Sequence, residues 1–318
     1  MTDPEPSAPP FSSAVIDRDA AERDDPTFAA RFDADPSSRV LAVRGGRVLL
    51  AERFEGSEPA LDLRHPADLP ASGLRCYLGR DGDTQVELRI FDDATADLIE
   101  PEAARWQGLR AAAPVLAANH TGLAVEAIAL ANWHAGHSHC PRCGAPTEPV
   151  QAGWARRCER EGNLVFPRTD PAVIVLVTDH DDRLLLGSNA LWEQRRFSLL
   201  AGFVEPGESL ESAVIREIGE EAGLLVDRVE YVASQPWPMP ASLMLGFTAR
   251  IAAGVDPVEA KADGVEILEL RWFTRNEVGA AFGDVVLPGE TSIARWLIER
   301  WYGGPIDPEG RLPAWPTS

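Results

Sequence analysis

Cysteine is scarce in this chain, four among 318 residues, and no apolar run approaches the length of a membrane span. A disulfide framework is therefore not what holds it together. With no apolar signal segment at its start, the chain is expected in a reducing cytoplasm, away from membranes. Positive charge is also short: 30 lysines and arginines face 50 acids, a formal net charge of −20. That balance argues against a general nucleic-acid binder, because neutralising phosphates takes cations at the contact surface. What is present is 45% hydrophobic content over a length sufficient for two or three compact units.

The most informative stretch runs from Gly202 to Leu224 and contains Glu208, Arg216, Glu217, Glu220, Glu221 and Gly223. At about 100° per residue, Glu217, Glu220 and Glu221 fall on one helical stripe, and Val214, Ile215, Ile218 and Ala222 share a neighbouring arc. One arc packs and the other binds. Three clustered carboxylates repel one another unless cations are present, and hard oxygen ligands suit Mg²⁺ or Mn²⁺. Pro206 and Gly207 fit a turn into the helix, Ser209 can cap its start, and Gly223 falls where a left-handed C-terminal cap would sit.

These residues match the Nudix hydrolase pattern: Gly, five residues, Glu, seven residues, Arg-Glu, apolar, any, Glu-Glu, any, Gly, apolar. The resemblance implies a loop-helix-loop on an α/β/α sandwich that hydrolyses a diphosphate within a nucleoside diphosphate derivative. It also implies that Glu217, Glu220 and Glu221 hold the metals together with the Ala201 carbonyl, while Arg216 and Glu208 form a supporting pair. Bound cations would neutralise the diphosphate and activate a water, and Glu217, Glu220 and Glu266 are all candidates for the base.

A second motif follows the box: Ser234-Gln-Pro-Trp-Pro-Met-Pro-Ala-Ser242 resembles the signature of the NADH pyrophosphatase and NAD-capped RNA hydrolase branch of Nudix enzymes. Its alternating prolines Pro236, Pro238 and Pro240 predict a stiff extended wall that carries Gln235, Trp237, Ala241 and Ser242. Met239 departs from the phenylalanine usual in that branch, and Phe166 and Phe203 are then the alternative ring faces for a nicotinamide or adenine. By the same resemblance, Glu266 adds a metal ligand from a strand, the Ala294 backbone borders the substrate from a closing helix, and Arg110 reaches the ligand. The substrate implied is NADH or NAD⁺, cut to nicotinamide mononucleotide and AMP, with removal of NAD caps from RNA 5′ ends as a further activity. Another dinucleotide such as ADP-ribose or FAD, or nucleotide sensing without turnover, is the competing reading. A homodimer is also implied.

Three of the cysteines cluster. Cys140 and Cys143 form a knuckle-type turn and Cys158 follows, as in a zinc ribbon, but Glu161 stands where the family has its fourth cysteine. Three readings stay open: Zn²⁺ held by three cysteines plus Glu161, His139 or His137; a weakened site; or a ribbon that folds without metal. His134 and His137 are expected to cap a helix or pack at a domain junction, and Cys76 to be an ordinary buried thiol. Residues 140–168 carry five arginines against three glutamates, a local exception that leaves room for an RNA end.

The expected class is α/β (α+β). Residues 1–36, acidic and rich in Pro, Ser and Ala, are expected to be disordered; 37–135 form a β-rich domain, 136–168 the ribbon, 169–302 the Nudix domain and 303–318 a tail. The N-terminal strands are expected to be antiparallel, with helices over 101–109 and 114–133.

Overall fold

Two sheets built to one plan carry the chain, which a computed structural model describes for residues 8–12, 16–54, 56–280 and 285–306. The first follows a short helix α1 (Phe28–Ala34) and contains β1 (Arg39–Arg44), β2 (Arg47–Leu49), β3 (Leu63–Arg64), β4 (Leu74–Asp81), β5 (Thr84–Ile90) and β6 (Trp106–Gly108). Helices α2 (Asp93–Ile99), α3 (Leu109–Ala112) and α4 (Ala118–Gly136) complete this half. The strand order is β4-β5-β1-β2-β6, with β3 added to β1. β1 and β5 are parallel, so the sheet is mixed rather than antiparallel. The helix expected over 101–109 is also replaced: Trp106 is buried and pairs with Leu49 as strand β6. Sheet pairing and burial of an indole outweigh local helical spacing here.

α4 is buried nearly all round, through Leu123, Ala124, Ala127, Ile128, Leu130, Ala131 and Trp133. A helix apolar on every side belongs between layers. One side covers the first sheet, and its Asn132 side chain donates to the Pro238 carbonyl of the C-terminal half at 2.8 Å.

Strands β7 (Thr147–Val150), β8 (Ala155–Cys158) and β9 (Leu164–Val165) form the three-stranded ribbon. It is fastened to β4: Trp154 donates to the Tyr77 carbonyl at 2.6 Å, and a Cβ on Gly153 would overlap Cys76. The second sheet contains β10 (Asp170–Thr178), β11 (Leu184–Asn189), β12 (Leu200–Phe203), β13 (Val226–Trp237), β14 (Ser242–Ile251) and β15 (Ile267–Phe273). Its order is β13-β14-β10-β11-β15, with β12 added to β10. α5 (Leu210–Ala222) covers one face through Val214 and Ile218. α6 (Arg275–Ala280) and α7 (Ile293–Tyr302) belong to the other, where Val278, Ile293 and Leu297 join the core.

Among its described residues, the N-terminal segment is ordered where its composition suggests a disordered tail. Phe28 and Phe32 of α1 are buried against Val40, Ala42 and Tyr77, and Asp33 pairs with Arg75 and Arg89 at 2.9 Å. Two buried rings outweigh the acidic average, because a few large apolar anchors suffice to order a short helix. At the other end, Gly303 caps α7 and Ile306 is buried, while residues 307–318 of the expected tail lie outside the described residues.

Candidate functional site

α5 forms where the spacing predicts it. Ser209 caps its start by accepting from the Ser212 amide, and Gly223 closes it at φ 67°. Val214, Ile218 and Ala222 are buried as expected, but Ile215 lies at the edge of that arc and is exposed. Glu217 and Glu221 are buried and Glu220 is exposed.

Arg216 organises the acids. Its guanidinium grips Glu208 at 2.8 and 2.9 Å, reaches Glu217 at 2.8 Å and Glu220 at 3.0 Å, and donates to the Phe203 carbonyl at 3.0 Å. This pairing holds Glu208 below the usual carboxylate range. Gly202 is needed for a different reason: a Cβ there would overlap the Glu217 carboxylate. Burial pushes Glu217 up. For Glu221, burial and then the charges of Glu217, Glu266 and Asp263 push it up to about 8. Its Oε2 is buried without a hydrogen-bond partner, whereas buried polar atoms are ordinarily paired. An orphaned carboxylate oxygen beside Glu217 and Glu266, with hard oxygen donors only, suits Mg²⁺ or Mn²⁺.

Glu221, Glu266 and Ala201 stand on the wall of a cavity of about 600 Å³. Arg110, Gln235, Trp237 and Ala294 line the same space. Residues singled out in five separate segments thus meet at one cavity. Arg110 lies 5.8 Å from the Trp237 ring centre, within cation–π range.

The wall itself differs from the expectation. Residues 234–242 are not one extended run: 234–237 end β13, 238–241 turn, and Ser242 opens β14 opposite Trp237. Pro236, Pro238, Met239, Pro240, Ala241 and Ser242 are outside the cavity lining. Asn132 holds the turn from α4, and Met239 stands outside the cavity lining. Gln235 is fully buried, and its amide is engaged with backbone, donating to Pro10 and Thr291 and accepting from Ile293. It builds the wall instead of presenting a free amide.

Comparison with known proteins agrees with this geometry. The NUDIX domain family matches residues 168–296, the NADH pyrophosphatase zinc ribbon domain 135–166, and the NADH pyrophosphatase-like rudimentary NUDIX domain 37–133. The NAD-capped RNA hydrolase NudC of Mycobacterium bovis (strain BCG / Pasteur 1173P2) is 44% identical over 286 residues, 86% of each chain. The chain belongs to the NADH pyrophosphatase and NAD-capped RNA hydrolase family of Nudix hydrolases. NudC of Deinococcus radiodurans is 39% identical, covering 78% of this chain and 84% of its own, and human NAD-capped RNA hydrolase NUDT12 is 39% identical over 57% and 41%.

The Nudix ribbon brings three thiols together: the sulfurs of Cys140, Cys143 and Cys158 lie within 4.8 Å of one another, the one such tight ligand group among the described residues. Backbone N–H groups, that of Arg142 first, lower the Cys140 thiol to about 7. Three convergent thiolates fit Zn²⁺. Glu161 does not converge with them. Its carboxylate lies 3.9 Å from Arg142, and only its backbone N–H reaches Cys158, at 3.4 Å. His139 and His137 turn to Ser138 and the Trp133 carbonyl. Asn163 is the polar side chain beside Cys140, its Oδ1 4.0 Å from the sulfur. The ribbon's local basic character is muted too, because Arg156 is buried and Arg157 and Arg168 sit beside Glu148 and Asp170.

Phe166 and Phe203 are outside the cavity lining and more than half exposed. Within a single copy neither ring faces the cavity. Sequence reasoning missed Arg295, buried in the cavity wall with Nε on Glu299 at 2.7 Å and Nη1 unpartnered. Its signal was an arginine between Ala294 and Leu297 on an otherwise apolar helix start, with Glu299 one turn on.

Proposed function

We propose that the protein hydrolyses the diphosphate of a nicotinamide dinucleotide, NADH or NAD⁺, to the mononucleotide and AMP, and that the same cut removes NAD caps from RNA. One observation carries the reading: Glu221 and Glu266 line a single cavity together with Trp237 and Arg110. Its volume of about 600 Å³ suits a ligand of nucleotide size. Mg²⁺ or Mn²⁺ would be held by Glu217, Glu220, Glu221 and Glu266 with the Ala201 carbonyl, and would supply charge neutralisation and an acidified water.

The chain's own part is orientation. Arg216 fixes Glu217 and Glu220 relative to Glu208, so the carboxylates keep their places despite mutual repulsion. Arg295 supplies a buried positive charge beside an anionic ligand, and Ala294 brings the start of α7 to the cavity. Trp237 offers a flat apolar face for a ring, and a carboxylate of the α5–Glu266 set takes the proton of the attacking water. Phe166 and Phe203, left exposed on one copy, are faces for a second copy, and a homodimer follows from the same reading.

Purified protein with Mg²⁺ or Mn²⁺ is incubated with NADH, NAD⁺, ADP-ribose, FAD and NAD-capped RNA, and the products are resolved. The expected result is mononucleotide and AMP from the nicotinamide substrates in preference to the others. No turnover of any nicotinamide dinucleotide sinks the reading. Light scattering after size exclusion reads the dimer, and a monomer mass would remove that part alone.

A further inference from the structure

Residues 9–12 make a turn that reaches the back of the cavity wall. The Ser12 amide donates to the Pro9 carbonyl at 3.2 Å, Pro10 takes the second position, and Phe11 the third, at φ 68°. A left-handed third position is ordinarily glycine, since a side chain there meets a steric cost that surrounding contacts must offset. The contacts are visible. Phe11 is buried with Leu109, Ala112, Ala113 and Leu116, and its ring stacks on Trp237 with centroids 6.0 Å apart and planes 22° from parallel.

The backbone of the turn does a second job. The Pro10 carbonyl accepts from Gln235 Nε2 at 2.9 Å, the same nitrogen donates to Thr291 at 2.8 Å, and Gln235 Oε1 accepts from the Ile293 amide at 2.8 Å. One buried glutamine thereby ties the turn to β13 and to the start of α7. Gln235, Trp237, Thr291 and Ile293 all line the cavity, while Phe11 does not. The turn supports the wall from outside.

We propose that the turn at residues 9–12 is an integral part of the substrate site, with Phe11 a positioning residue that fixes the Trp237 ring for the bound dinucleotide. The inference rests on the dinucleotide reading of the cavity. It assigns to an N-terminal segment a role in affinity rather than in chemistry: the turn contacts the Trp237 ring and not the acids of α5.

Phe11→Gly separates ring from backbone, because glycine is the residue this turn prefers and the turn's path is kept. In the full-length enzyme, KM for NADH is expected to rise about 2- to 10-fold, the range of an aromatic pair, with kcat changing far less. Phe11→Tyr should restore KM to near wild type. Without ligand, amide exchange along residues 233–237 should be faster in Phe11→Gly, a readout independent of turnover. An active wild type with unchanged KM in Phe11→Gly overturns the proposal, as does a Phe11→Tyr enzyme as impaired as Phe11→Gly. Failure of the wild type to cut any nicotinamide dinucleotide would instead strike the function reading.

Discussion

The two sheets share every strand pairing and differ in the helices set between the strands. β1 pairs antiparallel with β2 and β3 and parallel with β5, as β10 does with β11, β12 and β14; β6 and β15 close the two sheets alike. Between β3 and β4 lie only residues 65–73, whereas residues 204–225 between β12 and β13 hold α5. The first sheet lacks the carboxylate helix, and with it a cover for one apolar face. α1 and α2 take that place: Phe28, Phe32 and Ala96 cover Val40 and Ala42 as Ala213, Val214 and Ile218 cover Val173 and Val175. A sheet tolerates loss of its catalytic helix, but its face still has to be buried. This is why α1 folds within the acidic N-terminal segment.

The comparison breaks most visibly at the acids. Glu221 is buried with an orphaned oxygen, while Glu87 of the first sheet is buried between Arg75 and Arg89 at 2.8 and 2.7 Å. Glu221→Gln is expected to lower kcat by about 10²–10³-fold while leaving the fold intact. Glu87→Gln should leave kcat near wild type and lower the unfolding temperature, since it leaves two arginines short of a partner. Steady-state kinetics and calorimetry on both variants check the pair; equal kcat losses would mean that the two sheets do not divide catalysis from support.

The second test concerns the replacement cover. Phe32→Ala should cost about 3–5 kcal/mol of stability, the usual loss for a fully buried ring. Denaturant unfolding reads it. A midpoint equal to wild type would show that α1 is ornamental and that the first sheet hides its face in another way.

How far the sequence foretold this depends on how local the determinants are. The α5 stripe and its caps were legible because they lie within one helix and its entry loop, where spacing is geometry; the Arg216–Glu208 pair came with the family resemblance. Arg110, Trp237, Glu266 and Ala294 converge as the resemblance implied, although nothing in their spacing measures distance across the fold. Phe28 and Phe32 were averaged away by the surrounding acids, since composition over a window cannot see two anchors. Gln235 was read as facing ligand because its three backbone partners come from distant segments. Strand β6 was hidden for the same reason: its partner β2 is remote and its own residues are helix-compatible.

A third, smaller effect lies where α4 meets the ribbon. His134 bridges the two, with Nε2 on the Gly153 carbonyl at 2.8 Å and Nδ1 on the Arg156 guanidinium at 3.0 Å. Arg156 can only donate, so the imidazole is neutral with Nε2–H on the carbonyl. Burial first, with Arg156 adding to it, lowers the ring to about 4. A depressed folded pKa means that this stabilisation is complete above the unfolded value near 6.5 and is lost as pH falls through about 4. The amount at stake is roughly 3 kcal/mol. His134→Gln, which hydrogen-bonds without titrating, should lose less stability than wild type between pH 7 and pH 4; parallel acid profiles for both would remove the histidine as the cause.

The smallest effect is expected at Glu161, where the family's fourth cysteine is missing. Its carboxylate is turned to Arg142, so Glu161→Gln should leave bound zinc at about one per chain, whereas Cys143→Ser should lose it. Metal analysis of the two purified variants measures this directly. Three thiolates suffice to hold the cation if a water or the Asn163 side chain, beside the Cys140 sulfur, completes the tetrahedron. Loss of zinc in Glu161→Gln would mean that the carboxylate leaves Arg142 when metal arrives, and the ribbon would then be a site assembled by its ion instead of one held ready by the Gly144 and Gly162 turns, whose amides donate to the Cys140 and Cys158 carbonyls at 2.9 Å.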